Sequence, residues 1–189
     1  HFVTDGFLPR IAYDAAARHA ITSDNADCDG TRTTVAGRFF LTPTTATPEL
    51  APIIAFFRDG RDALARDYGV DLTDTYLRIE LAADTEEFWQ VPHIDTKEKR
   101  ITIIVFLTSD HPGDLGTDLG TSNATDAQRT RVPWAENRAL VFRTAPGRWY
   151  SFTKRSFVGV RRVLLANFVE AANWRSLDQV WDLDAVDVK

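Results

Sequence analysis

The sequence contains no methionine and one cysteine, Cys28, in 189 residues. A single thiol excludes an internal disulfide and any cysteine-based zinc cluster, and it fits a reducing compartment. Histidine is scarce too: there are four, and none follows His111. Lysine and glutamate are rare beside arginine and aspartate, with 4 Lys against 18 Arg and 7 Glu against 20 Asp. The balance is acidic, with a net charge of −5, so no basic footprint for nucleic acid is present. No stretch approaches the roughly 20 consecutive apolar residues of a membrane span. The first residues, HFVTDGFLPR, have neither a basic segment nor a long apolar one and do not read as a signal peptide. These absences together predict a cytoplasmic protein with neither a nucleic-acid nor a membrane partner.

Apolar residues make up 44% of the chain, with twelve Phe and five Trp, enough for one domain with a substantial core. The reading is a single domain over 1–189, with a helical part at about 8–69 and a β core at about 75–170. FVTDGFLP reads as a short strand and turn, and residues 10–20 as an Ala-rich helix. Residues 21–36 are polar and read as a loop, and GRFFLT as a short strand. In TPELAPIIAFFRDGRDALARDYG, Leu50, Ile53, Ile54 and Phe57 recur at helical spacing. Thr47 can cap this helix, Pro48 suits its first position, and Gly69 suits its end. Gly60 marks a break.

After Asp74 the texture changes to short strands: TYLRIEL, FWQV, RITIIVFL, RALVFRT, RWYSF and VRRVLLANFV. Turn-rich segments separate them, and residues 108–137 read as one long loop. Such a series after helices predicts a mainly β, α+β jelly roll with the helices packed outside.

The stretch QVPHIDTKEKRITIIVFL carries a His–x–Asp pair, His93 and Asp95. On extended backbone, residues two apart share a face, and an imidazole with a carboxylate is a good donor pair for Fe(II). In a chain with twenty Asp a single such pair is weak on its own; its surroundings give it weight. PHIDTKEKRITIIVFL, DLGTDLG, NRALVFRTAPGRWYSF and RRVLLANFV follow in an order that resembles the 2-oxoglutarate/Fe(II)-dependent oxygenases, over about residues 75–170. The resemblance implies a double-stranded β-helix, iron as metal, 2-oxoglutarate as cosubstrate and oxidation, commonly hydroxylation, of a small molecule. It implies His93 and Asp95 as catalytic metal ligands. It also implies an arginine clamp for the cosubstrate's distal carboxylate, matched by Arg162, with Arg161 as the alternative because neighbouring strand residues face opposite ways.

The family's second ligand histidine has no counterpart here. Tyr150 stands in its position, in RWYSF, and His111 lies in the wrong loop to replace it. Three outcomes stay open: ligation by Tyr150, whose phenol has an ordinary pKa near 10; a metal held by two protein ligands; or a pocket without metal. The last two include a 2-oxoglutarate-independent enzyme, such as a cupin-like site adding Glu98, and a non-catalytic binding protein. Tyr76, Arg78 and Glu80 share one face of TYLRIEL, and Thr102 begins a face of the apolar strand. Tyr76 and Thr102 are therefore candidate cofactor contacts. Lys97, Lys99 and Arg100 read as a solvated turn.

Overall fold

A computed structural model describes residues 1–21, 27–28, 35–41, 48–109, 113–124 and 128–170. Thr47 and His111 lie outside the described residues. The strands are β1 (Phe2–Thr4), β2 (Asp27–Cys28), β3 (Val35–Leu41), β4 (Thr75–His93), β5 (Lys99–Ser109), β6 (Thr117–Gly120), β7 (Thr130–Val132), β8 (Ala139–Arg143), β9 (Trp149–Phe152) and β10 (Arg161–Glu170). The helices are α1 (Arg10–Arg18), α2 (Ala51–Asp59) and α3 (Arg61–Tyr68).

The helical segment divides as its glycines dictate. A 3-10 turn, Pro48–Leu50, leads into α2. Gly60 separates α2 from α3, where an added Cβ would meet the Phe56 carbonyl oxygen at 2.6 Å. Gly69 ends α3 in the left-handed region (φ 59°), its N–H bonded to the Ala65 and Arg66 carbonyls. Two expected loops contain strands. β2 and the start of β3 fall within 21–36. β6 and β7 form a hairpin within 108–137. Their polar residues hid them: Asp118 of β6 is buried and held by Arg131 of β7 and Arg155.

The sheet runs β1-β8-β5-β10-β4-β9-β6-β7, with β3 on β4 and β2 on β3. Every pairing is antiparallel. β4 is 19 residues long and joins both halves. Its first part pairs with β10 and its end with β9, so the strand carries the chain from one wall of the jelly roll to the other.

Period-two alternation divides the side chains between two cores. Leu77, Ile79 and Leu81, Ile101, Ile103 and Val105, and Leu164, Ala166 and Phe168 face the helices, packing with Ala12, Ile53, Phe57 and Leu64. The opposite parity forms the barrel interior: Ala82, Ile104, Phe106, Leu140, Phe142, Tyr150 and Val163. The rings of Phe142 and Tyr150, from opposite walls, lie 4.8 Å apart.

Asn137 ties the N-terminal segment to this frame. Its amide accepts from the Leu8 N–H and donates to the Leu8 carbonyl, both at 2.8 Å, while its backbone sits at φ 56°. Asn137→Ala loses both bonds and keeps a backbone conformation that alanine disfavours. It is expected to destabilise the fold by about 2 kcal/mol in urea unfolding, with the slope unchanged.

Candidate active site

His93 is the last residue of β4, directly opposite Tyr150 of β9. Their rings are 4.1 Å apart at 53°. Past His93 the chain turns back into β5, closing with the Lys99 N–H on the Thr96 carbonyl. Within this turn Ile94 points to solvent, and Asp95 is buried on the same side as His93.

The His93 Nδ1 lies 3.0 Å from the Val91 carbonyl. A carbonyl only accepts, so the proton sits on Nδ1 and the Nε2 lone pair is directed away from the backbone. It faces only a long contact of 3.4 Å from the Gln90 amide nitrogen. Burial pushes the His93 pKa below its usual value, so the ring is neutral at physiological pH despite the nearby Asp95 carboxylate. A neutral imidazole with an oriented lone pair is the form that binds a metal.

Asp95 has three donors. Lys99 Nζ reaches Oδ1 at 2.7 Å, the Tyr150 hydroxyl reaches Oδ1 at 3.0 Å, and the Thr102 hydroxyl reaches Oδ2 at 2.5 Å. Burial raises the Asp95 pKa, but the Lys99 charge and the bonds from Lys99 and Thr102 outweigh it, so the net shift is downward and the group is a carboxylate. Burial, and then the Asp95 charge, raises the Tyr150 pKa well above the ordinary phenol value. Tyr150 is thus a neutral phenol that donates to Asp95.

A polar relay extends from this carboxylate along one row of the barrel. Thr102 of β5, Asn167 of β10 and Arg78 of β4 are consecutive cross-strand neighbours. The Asn167 amide donates to the Thr102 hydroxyl at 2.9 Å and accepts from Arg78 at 3.2 Å, and Arg78 donates to Glu80 at 2.5 Å. Burial raises the Glu80 pKa, but Arg78 and Arg38 lower it further. The chain Glu80–Arg78–Asn167–Thr102 therefore fixes the Asp95 rotamer from behind.

A second row holds three buried charges. Strand register sets Asp84 of β4 between Arg38 of β3 and Arg161 of β10. Arg38 Nε and Nη2 donate to Asp84 Oδ1 and Oδ2 at 2.5 and 3.0 Å, and Arg161 Nη1 donates to Oδ2. Arg161 Nε also donates to the Leu115 carbonyl at 2.7 Å. The rings of Phe152, Phe106, Trp134 and Phe88 surround the Arg161 guanidinium at 4.9–5.9 Å. Burial lowers its pKa to about 10 against the pull of Asp84, so it remains charged at neutral pH.

Of the residues singled out in the sequence, His93, Asp95, Tyr150 and Thr102 come together. Tyr76 has the interior parity but makes no hydrogen bond to this group among the described residues. Arg162 is turned away: it shares its face with Leu164, Ala166 and Phe168, and its Nη1 donates to the Ala17 and His19 carbonyls at the end of α1. Arg161, the alternative, faces inward. Lys99 is not a solvated turn residue, because Asp95 four positions earlier draws it inward. Glu98 does not join His93 and Asp95, and no group of three or more His, Cys, Asp or Glu side chains able to hold a metal exists among the described residues. Arg38 and Asp84 went unread in the sequence, although Asp84 shares its parity with Arg78 and Glu80.

The donors fit a divalent metal at two positions, the His93 Nε2 lone pair and the Asp95 carboxylate. Charge in the second row fits a carboxylate ligand: two guanidiniums against one Asp leave one positive charge in a buried region.

No family model and no curated protein sequence matches the chain. Solved structures do. A Pseudomonas putida prolyl-4-hydroxylase is 15% identical, with 89% of this chain and 91% of that one covered and a TM-score of 0.64. A Trichoplax adhaerens prolyl hydroxylase, in complex with a hypoxia-inducible factor peptide fragment, is 11% identical, with coverage of 92% and 87% and a TM-score of 0.63. HygX from Streptomyces hygroscopicus, with nickel, 2-oxoglutarate and hygromycin B bound, is 11% identical, with coverage of 94% and 86% and a TM-score of 0.63. The chain has the double-stranded β-helix fold of these 2-oxoglutarate oxygenases.

Proposed function

We propose that this protein is a non-haem iron, 2-oxoglutarate-dependent oxygenase that oxidises a small molecule, with iron held by His93 and Asp95. The observation that carries the reading is the oriented Nε2 lone pair of a neutral His93 beside the Asp95 carboxylate, at the barrel end where β4 meets β9. When bound, iron with its cosubstrate supplies the oxidising chemistry that side chains cannot perform.

The chain's own residues have distinct tasks. Thr102 and the relay behind it hold Asp95 in one rotamer. Tyr150 keeps its proton and donates to Asp95 instead of supplying a third donor, so iron would have two protein ligands and its remaining positions would fall to solvent, cosubstrate or substrate. Arg161 and Arg38 attract the distal carboxylate of the cosubstrate, sharing it with Asp84. Phe106, Trp134 and Phe152 keep water from these charges, which strengthens the attraction.

Anaerobic titration of metal-free protein with Fe(II) and then 2-oxoglutarate tests the proposal. The weak visible charge-transfer band of the chelated complex is the expected result. Iron binding without the band would refute cosubstrate use.

A second reading is favoured by one feature. Lys99, Tyr150 and Thr102 together already satisfy Asp95, and Asp84 already engages Arg161. A pocket so completed internally suits a non-catalytic binding protein, and failure to bind iron would support that reading.

A further inference from the structure

Beside Lys99, the ion-pair partner of Asp95, lies an open cavity of about 260 Å³ whose lining includes Lys97, Lys99, Arg100, Arg143, Thr144 and Arg148. Five cations and no acid line it, in a protein of net charge −5. Two of the cations are compensated, Lys99 by Asp95 at 2.7 Å and Arg100 by Glu170 at 2.6 Å. Lys97, Arg143 and Arg148 have no acidic partner among the described residues. Arg143 is nonetheless fixed, its Nη1 donating to the Gly69 carbonyl at 2.9 Å. The Thr144 hydroxyl is buried without a hydrogen-bond partner. Buried hydroxyls are normally satisfied, so this one is a further donor without an acceptor.

We infer that this cavity binds the phosphate-bearing end of a small-molecule substrate. Three uncompensated cations exceed what a monocarboxylate would neutralise. Two guanidinium forks, an ammonium and an unpartnered hydroxyl in the cavity lining supply donors in the number and type that the several oxygens of a phosphate or diphosphate accept. The position agrees with substrate binding, because Lys99 is shared: it lines the cavity and touches the carboxylate assigned to iron. The turn carrying Thr144 and Arg148 leads directly into Tyr150. The role as a substrate subsite rests on the oxygenase reading; the anion site itself does not.

The test is calorimetric titration of metal-free protein with inorganic pyrophosphate at constant ionic strength. The comparison is the Lys97→Gln/Arg148→Gln double variant, whose changes lie on exposed side chains outside the iron site. Saturable one-to-one binding is expected, weakened about tenfold or more in the variant, with circular dichroism unchanged. No saturable binding by the parent protein, or equal binding by the variant, would overturn the inference. Preference for a single-stranded oligonucleotide over pyrophosphate would overturn the small-molecule assignment. Because no iron is present, failure here is separable from failure of the iron titration. Pyrophosphate binding without iron binding would keep the anion site and remove its role in oxidation.

Discussion

His93→Ala is expected to abolish Fe(II) binding, and Tyr150→His to tighten it about 100-fold, the upper end of what even outer-sphere changes achieve. The first removes the site's imidazole, whose Nε2 lone pair is the nitrogen donor beside Asp95. With Asp95 alone, already bonded to Lys99, Thr102 and Tyr150, a single carboxylate competes poorly with water. The second change acts where β9 runs opposite β4. The Tyr150 ring is already 4.1 Å from that of His93, and its hydroxyl 3.0 Å from Asp95, so an imidazole there completes two nitrogens and a carboxylate around one point. It also removes a donor from Asp95, which frees an oxygen lone pair. Equilibrium dialysis with Fe(II) under anaerobic conditions reads both variants. Unchanged metal content in His93→Ala would refute the assignment of this site. Unchanged affinity in Tyr150→His would mean that the two walls lie too far apart for a shared ion. A strong visible band on exposing the iron-loaded parent protein to air would identify an Fe(III)–phenolate, against the neutral hydrogen-bonded phenol described above.

Asp84→Asn is expected to cost about 3–5 kcal/mol of stability, lowering the melting temperature by roughly 6–20 °C. Arg38, Asp84 and Arg161 are all buried, and Asp84 is the carboxylate between two guanidiniums. Asn preserves shape and some hydrogen bonding but no charge, so two cations would remain without compensation where water cannot reach them. The double variant Arg38→Gln/Asp84→Asn removes one charge of each sign and is expected to recover part of the loss; additive losses would argue against direct coupling. The single variant offers a further readout. With the internal charge gone, added 2-oxoglutarate should raise the melting temperature of Asp84→Asn more than that of the parent protein, because its carboxylate then supplies the counter-charge that Arg38 and Arg161 lack. No difference between the two would argue that Arg161 does not meet the cosubstrate.

Alternation and glycine punctuation carried much of the fold. The breaks at Gly60 and Gly69 and most strands of the β core followed from local pattern, because backbone preference and burial act on neighbouring residues; TYLRIEL and FWQV, expected as two strands, are instead parts of the single strand β4, whose middle residues pair with β10 and β3. β6 and β7 did not, because their buried polar residue, Asp118, is tolerated only through arginines far along the chain. The His–x–Asp pair was legible for the same local reason: two residues apart on extended backbone share a face. Parity could also have chosen between Arg161 and Arg162, since Arg162 shares its period with Leu164, Ala166 and Phe168 and so belongs to the helix-facing side.

The sequence by itself determined the donor types, the absence of any His after His111, and a tyrosine, Tyr150, where the family resemblance led one to expect a histidine. Only the tertiary structure decided what those groups are bonded to. Asp84 became the partner of two arginines because register aligns three strands that are distant in sequence. Tyr150 became a neutral donor to Asp95 because β9 meets the end of β4 inside a wall of aromatic rings. Lys99 turned inward because a buried carboxylate one helical turn's length earlier in the chain required a counter-charge. Charge in a low-dielectric interior is compensated by whatever cross-strand register delivers, and register is a property of the assembled sheet.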